Sequence, residues 1–149
     1  MGTRQLVRLI LRTCACLLLA SALTGCGADR LPTSPTPSVA GAWQGAIDSP
    51  TDGPGTIALD LTQTGVTVSG SMRITQGDIV GGATGTVTGT LVPAAGSTKL
   101  EFTVMYTYGF CSGAFSGTMD VTSHDMTGHY IGQDCAHGFT GTLRASRND

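Results

Sequence analysis

From Gly41 onward the apolar residues recur at every second position, the period of a strand with one buried face. Ile57, Leu59 and Leu61 alternate with Ala58, Asp60 and Thr62, and Leu100, Phe102, Val104 and Tyr106 alternate with Lys99, Glu101, Thr103 and Met105. Val66, Val68 and Met72 are set in the same way against Thr67, Ser69 and Ser71. Phe115, Met119 and Val121 oppose Ser116, Thr118 and Asp120, while Phe139 and Leu143 oppose Thr140 and Thr142. No stretch shows a capped 3.6-residue repeat, so no helix is expected. The alternation predicts eight strands, near 41–48, 55–63, 65–73, 83–92, 98–106, 113–121, 125–131 and 137–146, separated by Gly-, Pro- and Asp-rich turns.

Connections this short suit an antiparallel meander, because parallel strands need long crossovers. Eight twisted antiparallel strands can close on themselves and so remove both exposed edges. Glycine makes up 22 of 149 residues without the three-residue period of collagen. Gly70, Gly85, Gly89, Gly117, Gly128 and Gly141 fall inside strands, where they would weaken a flat sheet but permit sharp coiling. The expectation is an all-β domain over residues 41–147, an eight-stranded antiparallel up-and-down β-barrel. A two-sheet β-sandwich of the same strands is the alternative. Those of the glycines that point inward would leave room for a ligand unless large neighbours fill it.

The N-terminal part follows a different pattern. Arg4, Arg8 and Arg12 precede an apolar run containing Leu17-Leu18-Leu19-Ala20, and Leu23-Thr24-Gly25-Cys26 follows, the tripartite order of a secretory signal. Ser21, Thr24 and Gly25 interrupt the apolar run, which is short of the roughly 20 residues a spanning helix needs. Leu23-Thr24-Gly25-Cys26 resembles the lipobox of bacterial lipoproteins. The resemblance implies that residues 1–25 are a signal peptide and that Cys26, diacylated, becomes the mature N-terminus. Residues 26–40 then comprise the lipidated Cys and a tether carrying Pro32, Pro35 and Pro37, a composition unable to build a core. Stretched out, the tether reaches on the order of 45 Å at about 3.3 Å per residue. Gly27 is not the Asp that resembles an inner-membrane retention signal, so the expected location is the cell envelope, at the outer membrane. The membrane, reached through the lipid, is the first expected partner.

All ten acidic residues lie beyond the leader, against Arg30, Arg73, Lys99, Arg144 and Arg147. That excess of negative charge argues against a nucleic-acid partner, which would want a basic face for phosphates.

Gly41-Ala42-Trp43 opens the first strand. It is similar to the G-x-W signature of the calycin superfamily, which includes lipocalins, fatty-acid-binding proteins and avidins. The resemblance implies barrel closure by a basic residue of the last strand packed across the Trp, with Arg144 and Arg147 as candidates. The inward series Phe139, Gly141, Leu143 and Ala145 selects Arg147 by parity. A guanidinium over an indole gains cation–π energy. No helix follows the barrel, unlike many lipocalins. With one Trp in the chain, the Trp-lined biotin pocket of avidins is not implied.

Most candidate chemistry is set aside at this level. Gly81-Gly82-Ala83-Thr84-Gly85 lacks the following helix that a phosphate loop requires. His129, Cys135, His137 and Cys111 match no common zinc spacing, so no metal is expected. Ser112, His137 and Asp134 have the residue types of a triad without a nucleophile elbow. No enzyme activity, catalytic residue or cofactor is expected.

Once Cys14 and Cys16 leave with the signal and Cys26 takes the lipid, Cys111 and Cys135 remain in a compartment that permits disulfides. In an up-and-down barrel the loops after strands one, three, five and seven share one end. Both cysteines fall in such loops, so a Cys111–Cys135 bond is expected there, at a mouth facing away from the lipid anchor. Tyr106, Tyr108, Phe110, Asp134 and His137 cluster at the same end as candidate ligand-binding residues, aromatic bodies with a few polar groups.

Two functions from different classes follow. One is the binding of a small apolar or amphipathic ligand at the long-loop end. The other is a protein-interaction module, an envelope assembly factor or inhibitor, with a filled barrel. Mass spectrometry of the mature protein should find an acylated N-terminal Cys26, and Cys26→Ser should leave the chain unprocessed or mislocalised; an unmodified N-terminus upstream of Cys26 would refute the lipoprotein assignment.

Overall fold

The computed structural model of the protein describes residues 36–76 and 82–147. The expected signal peptide, Cys26 and the first part of the expected tether lie outside the described residues, as do 77–81 and 148–149. Among the described residues the elements are β1 (Gly41–Ser49), β2 (Gly53–Thr64), β3 (Thr67–Gln76), β4 (Ala83–Ala94), β5 (Ser97–Tyr108), β6 (Cys111–Val121), β7 (Asp125–Gln133) and β8 (Gly138–Arg147). Each pairs antiparallel with its neighbour in sequence, and β8 returns to pair with β1 from Trp43 opposite Arg147 to Asp48 opposite Thr142. That last ladder closes the sheet into an eight-stranded barrel and rules out the sandwich, which would leave β1 and β8 as separate edges.

The strands are mostly longer than the alternation alone suggests, because their ends stay paired up to tight turns. One assignment is corrected. Val66 is not an inward residue but 49% exposed, since Gly65 and Val66 form the β2–β3 turn. Gly65 holds φ at 61°, a left-handed conformation that suits glycine, and the ladder starts afresh at Thr67. The Val66 carbonyl instead accepts a hydrogen bond from the Leu91 N–H at 2.8 Å.

Inward residues follow a large-against-glycine rule across the ladders. Tyr106 lies opposite Gly85 and Gly113, Phe102 opposite Gly89 and Gly117, and Tyr130 opposite Gly117 and Gly141. A Cβ placed on Gly117 would fall on the His129 carbonyl oxygen, and one on Gly70 on that of Asp60. The inward glycines therefore do not leave ligand space, as their small size suggests they would. They let neighbouring backbones and bulky side chains come into contact, the interdigitation that fills small barrels.

One end of the barrel is sealed. Trp43 is fully buried, and its indole Nε1 donates to the Val39 carbonyl at 2.8 Å. Val39 is itself fully buried, with its N–H donating to Gln63 Oε1 at 2.7 Å. Composition gives residues 26–40 no part in a core, yet Val39 takes one, as a plug at this end of the barrel. Arg147 Cζ sits 4.8 Å from the centre of the Trp43 ring, and a guanidinium Nη2 donates to the Ser38 carbonyl. Parity thus chooses correctly between Arg144 and Arg147. Trp43 joins three elements here, so Trp43→Ala should cost about 3–5 kcal/mol, the usual range for emptying a large buried aromatic site. Chemical denaturation measures this, and a loss under about 1 kcal/mol would contradict the sealing role.

Candidate functional site

The opposite end carries the β1–β2, β5–β6 and β7–β8 connections, with the end of β3 and the start of β4, and opens on a cavity of about 450 Å³. Ile47, Ile74, Ala83 and Phe115 lie among its apolar lining residues; Tyr106, Tyr108, Tyr130 and Phe139 add rings; Thr51, Asp52, Gln76, Asp134, Ala136 and His137 stand at the rim. Strand parity explains the aromatic set. Phe115, Tyr130 and Phe139 are inward residues of the barrel's mouth half, and Phe115 meets Tyr130 at 5.2 Å and Phe139 at 6.4 Å between ring centres. Tyr106 and Tyr108 are consecutive inward residues of β5 and stack at 6.1 Å with 16° between their planes.

The rim is tied together by hydrogen bonds from three elements. Asp134 Oδ1 accepts the Ala136 and His137 N–H groups at 2.8 and 3.0 Å, folding the β7–β8 loop around the carboxylate. Its Oδ2 accepts from the Tyr108 hydroxyl at 2.9 Å. The His137 ring turns the other way, placing Nε2 3.0 Å from Asp52 Oδ1. The buried Ser49 hydroxyl then donates to Asp52 Oδ2 at 3.1 Å. The chain Tyr108–Asp134–His137–Asp52–Ser49 thereby joins β5, the β7–β8 loop and the β1–β2 loop.

The Cys111–Cys135 disulfide fastens the same rim from outside, its Cα atoms 5.8 Å apart. Its position agrees with the expectation that both cysteines fall at this end, although Cys111 is the first residue of β6 and only Cys135 lies in a loop. A loop of this length contributes roughly 3 kcal/mol in the chain-entropy account. The bond also takes both sulfurs out of any metal set, and His129 points outward from β7.

Of the five residues singled out from sequence, the structure brings together Tyr106, Tyr108, Asp134 and His137. Phe110 is the correction. It sits in the two-residue β5–β6 turn, fully exposed, because the turn that brings Cys111 back into the ladder swings it away from the interior. The types Ser112, His137 and Asp134 do not assemble as a triad: Asp134 meets His137 through the main chain, while the imidazole engages Asp52. Sequence reasoning misses Asp52, Gln76, Tyr130 and Phe139. The last three are reachable by extending inward parity to the strand ends; Asp52 is not, since its place depends on the turn at Ser49.

The rim is electrostatically negative. Burial opposes the ionisation of Asp134, but the His137 and Ala136 N–H groups and the Tyr108 hydroxyl outweigh it and hold the carboxyl below the ordinary range. Tyr108 is pushed up by that hydrogen bond first and by burial second. Burial is the main cause of the upward shifts at Tyr106 and Tyr130; Asp134 adds to the first and Asp52 to both.

No protein-family model matches the chain, and no curated protein does. Among solved structures a redesigned β-barrel is similar to it, with a TM-score of 0.49 and 13% identity over 74% of this chain and 91% of the other. The fold assignment rests on the closed strand ladder itself.

A pH-dependence follows from Asp134. Its carboxyl titrates lower in the folded than in the unfolded chain, so the unfolded chain binds more protons between the two values. The resulting stability is complete above the unfolded value of about 4 and is lost as pH falls through the folded one. Tyr108→Phe removes one donor and should raise the Asp134 titration, moving acid unfolding to higher pH. Carboxyl ¹³C shifts followed by NMR measure this, and an unchanged Asp134 titration would refute the role given to the hydroxyl.

Proposed function

We propose that the protein is a lipid-anchored component of the bacterial cell envelope, at the outer membrane, whose barrel takes a small apolar or amphipathic molecule into its mouth. One observation carries the reading: a cavity of about 450 Å³ opens at one end of a barrel whose other end is sealed by Val39 and Trp43. A volume of that order suits one small molecule, and an apolar floor under a few fixed polar groups is the usual composition of such sites. Residues 36–40 enter at the sealed end, away from the mouth. The lipobox resemblance at Leu23-Thr24-Gly25-Cys26 supports the envelope part of the proposal.

A protein-interaction role draws on a different observation. Met105 and Ile131 are exposed on the outer wall, opposite Ala114 and Ser116 of β6, which sit two residues apart. The two readings separate in one experiment. Native mass spectrometry of protein purified from its own envelope should show a retained small molecule, lost in Tyr130→Ala or Phe139→Ala variants that still fold. Retention of that molecule unchanged in both variants would place it elsewhere. A co-purifying protein with no small molecule would favour the outer wall.

A further inference from the structure

The charges around the mouth are distributed unevenly. Asp52 and Asp134 stand at its rim, and none of the described lining residues is Lys or Arg. Among the described residues the cations lie elsewhere: Lys99 pairs with Asp120 at 2.8 Å on the outer wall, and Arg147 stacks at the sealed end. Arg144 is on the outer face of β8; Arg73, the nearest to the mouth, is exposed on the outer face of β3 and has an interaction of its own. His137 is the remaining group able to carry positive charge there, and it is held against Asp52 at 3.0 Å.

Aromatic rings add to this bias, since their faces are electron-rich and attract cations held near them. Tyr106 supplies a separate indication of a ligand. It is 7% exposed and lines the cavity, yet no hydrogen bond joins its hydroxyl to another described residue. A hydroxyl that faces the cavity without a protein partner is available to bond a polar group of an incoming molecule. Its oxygen can accept from an ammonium N–H, while the rim carboxylates, at about 4 Å in a medium of lower dielectric than water, would favour the ammonium charge.

We infer that the mouth selects cationic amphiphiles: molecules with a flat apolar body and a protonated amine, the body against Phe115, Tyr130 and Phe139 and the ammonium toward Tyr106 and the rim carboxylates. This rests on the proposed ligand-binding role and names the class of molecule that role would serve. A neutral molecule of the same shape would keep the apolar contacts alone. An anion would meet Asp52 and Asp134 with no Lys or Arg among the lining residues to offset them.

The test uses three probes with one indole-ethyl body: tryptamine in its ammonium form, neutral tryptophol and anionic indole-3-propionate. Calorimetric titration at pH 7.5 and low salt, with NMR shifts to locate the site, should find tryptamine bound at least about tenfold more tightly than tryptophol, with the propionate weakest. Asp52→Asn should shrink the preference for tryptamine over tryptophol several-fold, and 0.5 M salt should reduce it in the wild type. Equal affinity for all three, or preference for the propionate, would overturn the charge selection and leave ligand binding standing. Preference for tryptamine that survives Asp52→Asn and also Asp134→Asn would overturn the assignment of the carboxylates. Binding of none of the three would overturn this inference, while a small molecule retained from the native envelope would still uphold the broader reading.

Discussion

The barrel depends on the contact between bulky inward side chains and glycines on the adjacent strand. Eight strands enclose little space, and large residues at every inward position would force the strands apart or the side chains off their rotamers. Setting Tyr106 against Gly85 and Gly113, and Tyr130 against Gly117 and Gly141, lets each ring lie over a bare stretch of backbone. The same positions allow the close strand approach that sharp coiling needs, with Asp60 O and His129 O where a Cβ on Gly70 or Gly117 would sit. Closure between β1 and β8 follows from that coiling, and with closure the edges disappear.

A barrel packed by this rule still has two unlike ends. At one, Trp43, Val39 and Arg147 make a plug in which the indole donates to the Val39 carbonyl and the guanidinium, stacked on the indole, donates through Nη2 to the Ser38 carbonyl. At the other, the inward residues are rings whose polar tips meet the rim, and the residues that could have covered them are engaged in bonding one loop to the next. Asp134 is occupied by two main-chain N–H groups and Tyr108, His137 by Asp52, and the β5–β6 turn by its disulfide. Loops held in this way stay at the rim. The cavity is thus a consequence of how the loop polar groups are satisfied, and its negative character follows from the carboxylates that do the satisfying.

Part of the candidate site is legible in the sequence. Tyr106 and Tyr108 can be placed because they continue an unbroken alternation from Leu100, and Asp134 and His137 because loop order in a meander fixes the end on which they fall. Phe110 cannot be placed this way. Beyond the last ladder pair, Tyr108 opposite Cys111, the alternation no longer specifies a direction, and Phe110 turns outward. Val66 misleads for the same reason, since a residue at a turn can mimic the parity of the strand it precedes. Asp52 reaches His137 across a gap of 85 positions, through a turn whose geometry depends on Ser49. No local pattern carries that information.

The sequence by itself determined the all-β class, the meander order, the inward face of nearly every strand and the neighbourhood of Cys111 and Cys135. These properties are repeated every two residues or set by chain connectivity, so many positions report them at once. Tertiary structure alone decided whether the barrel closed, what the inward glycines were for, that residues before the first strand join the core, and where empty volume remains. Each of those depends on which side chain faces which across a ladder, and on loop groups finding partners far away in the chain. Packing and hydrogen-bond satisfaction are properties of the assembled barrel, and an alternating pattern of apolar residues is compatible with a filled interior as readily as with one open at a single end.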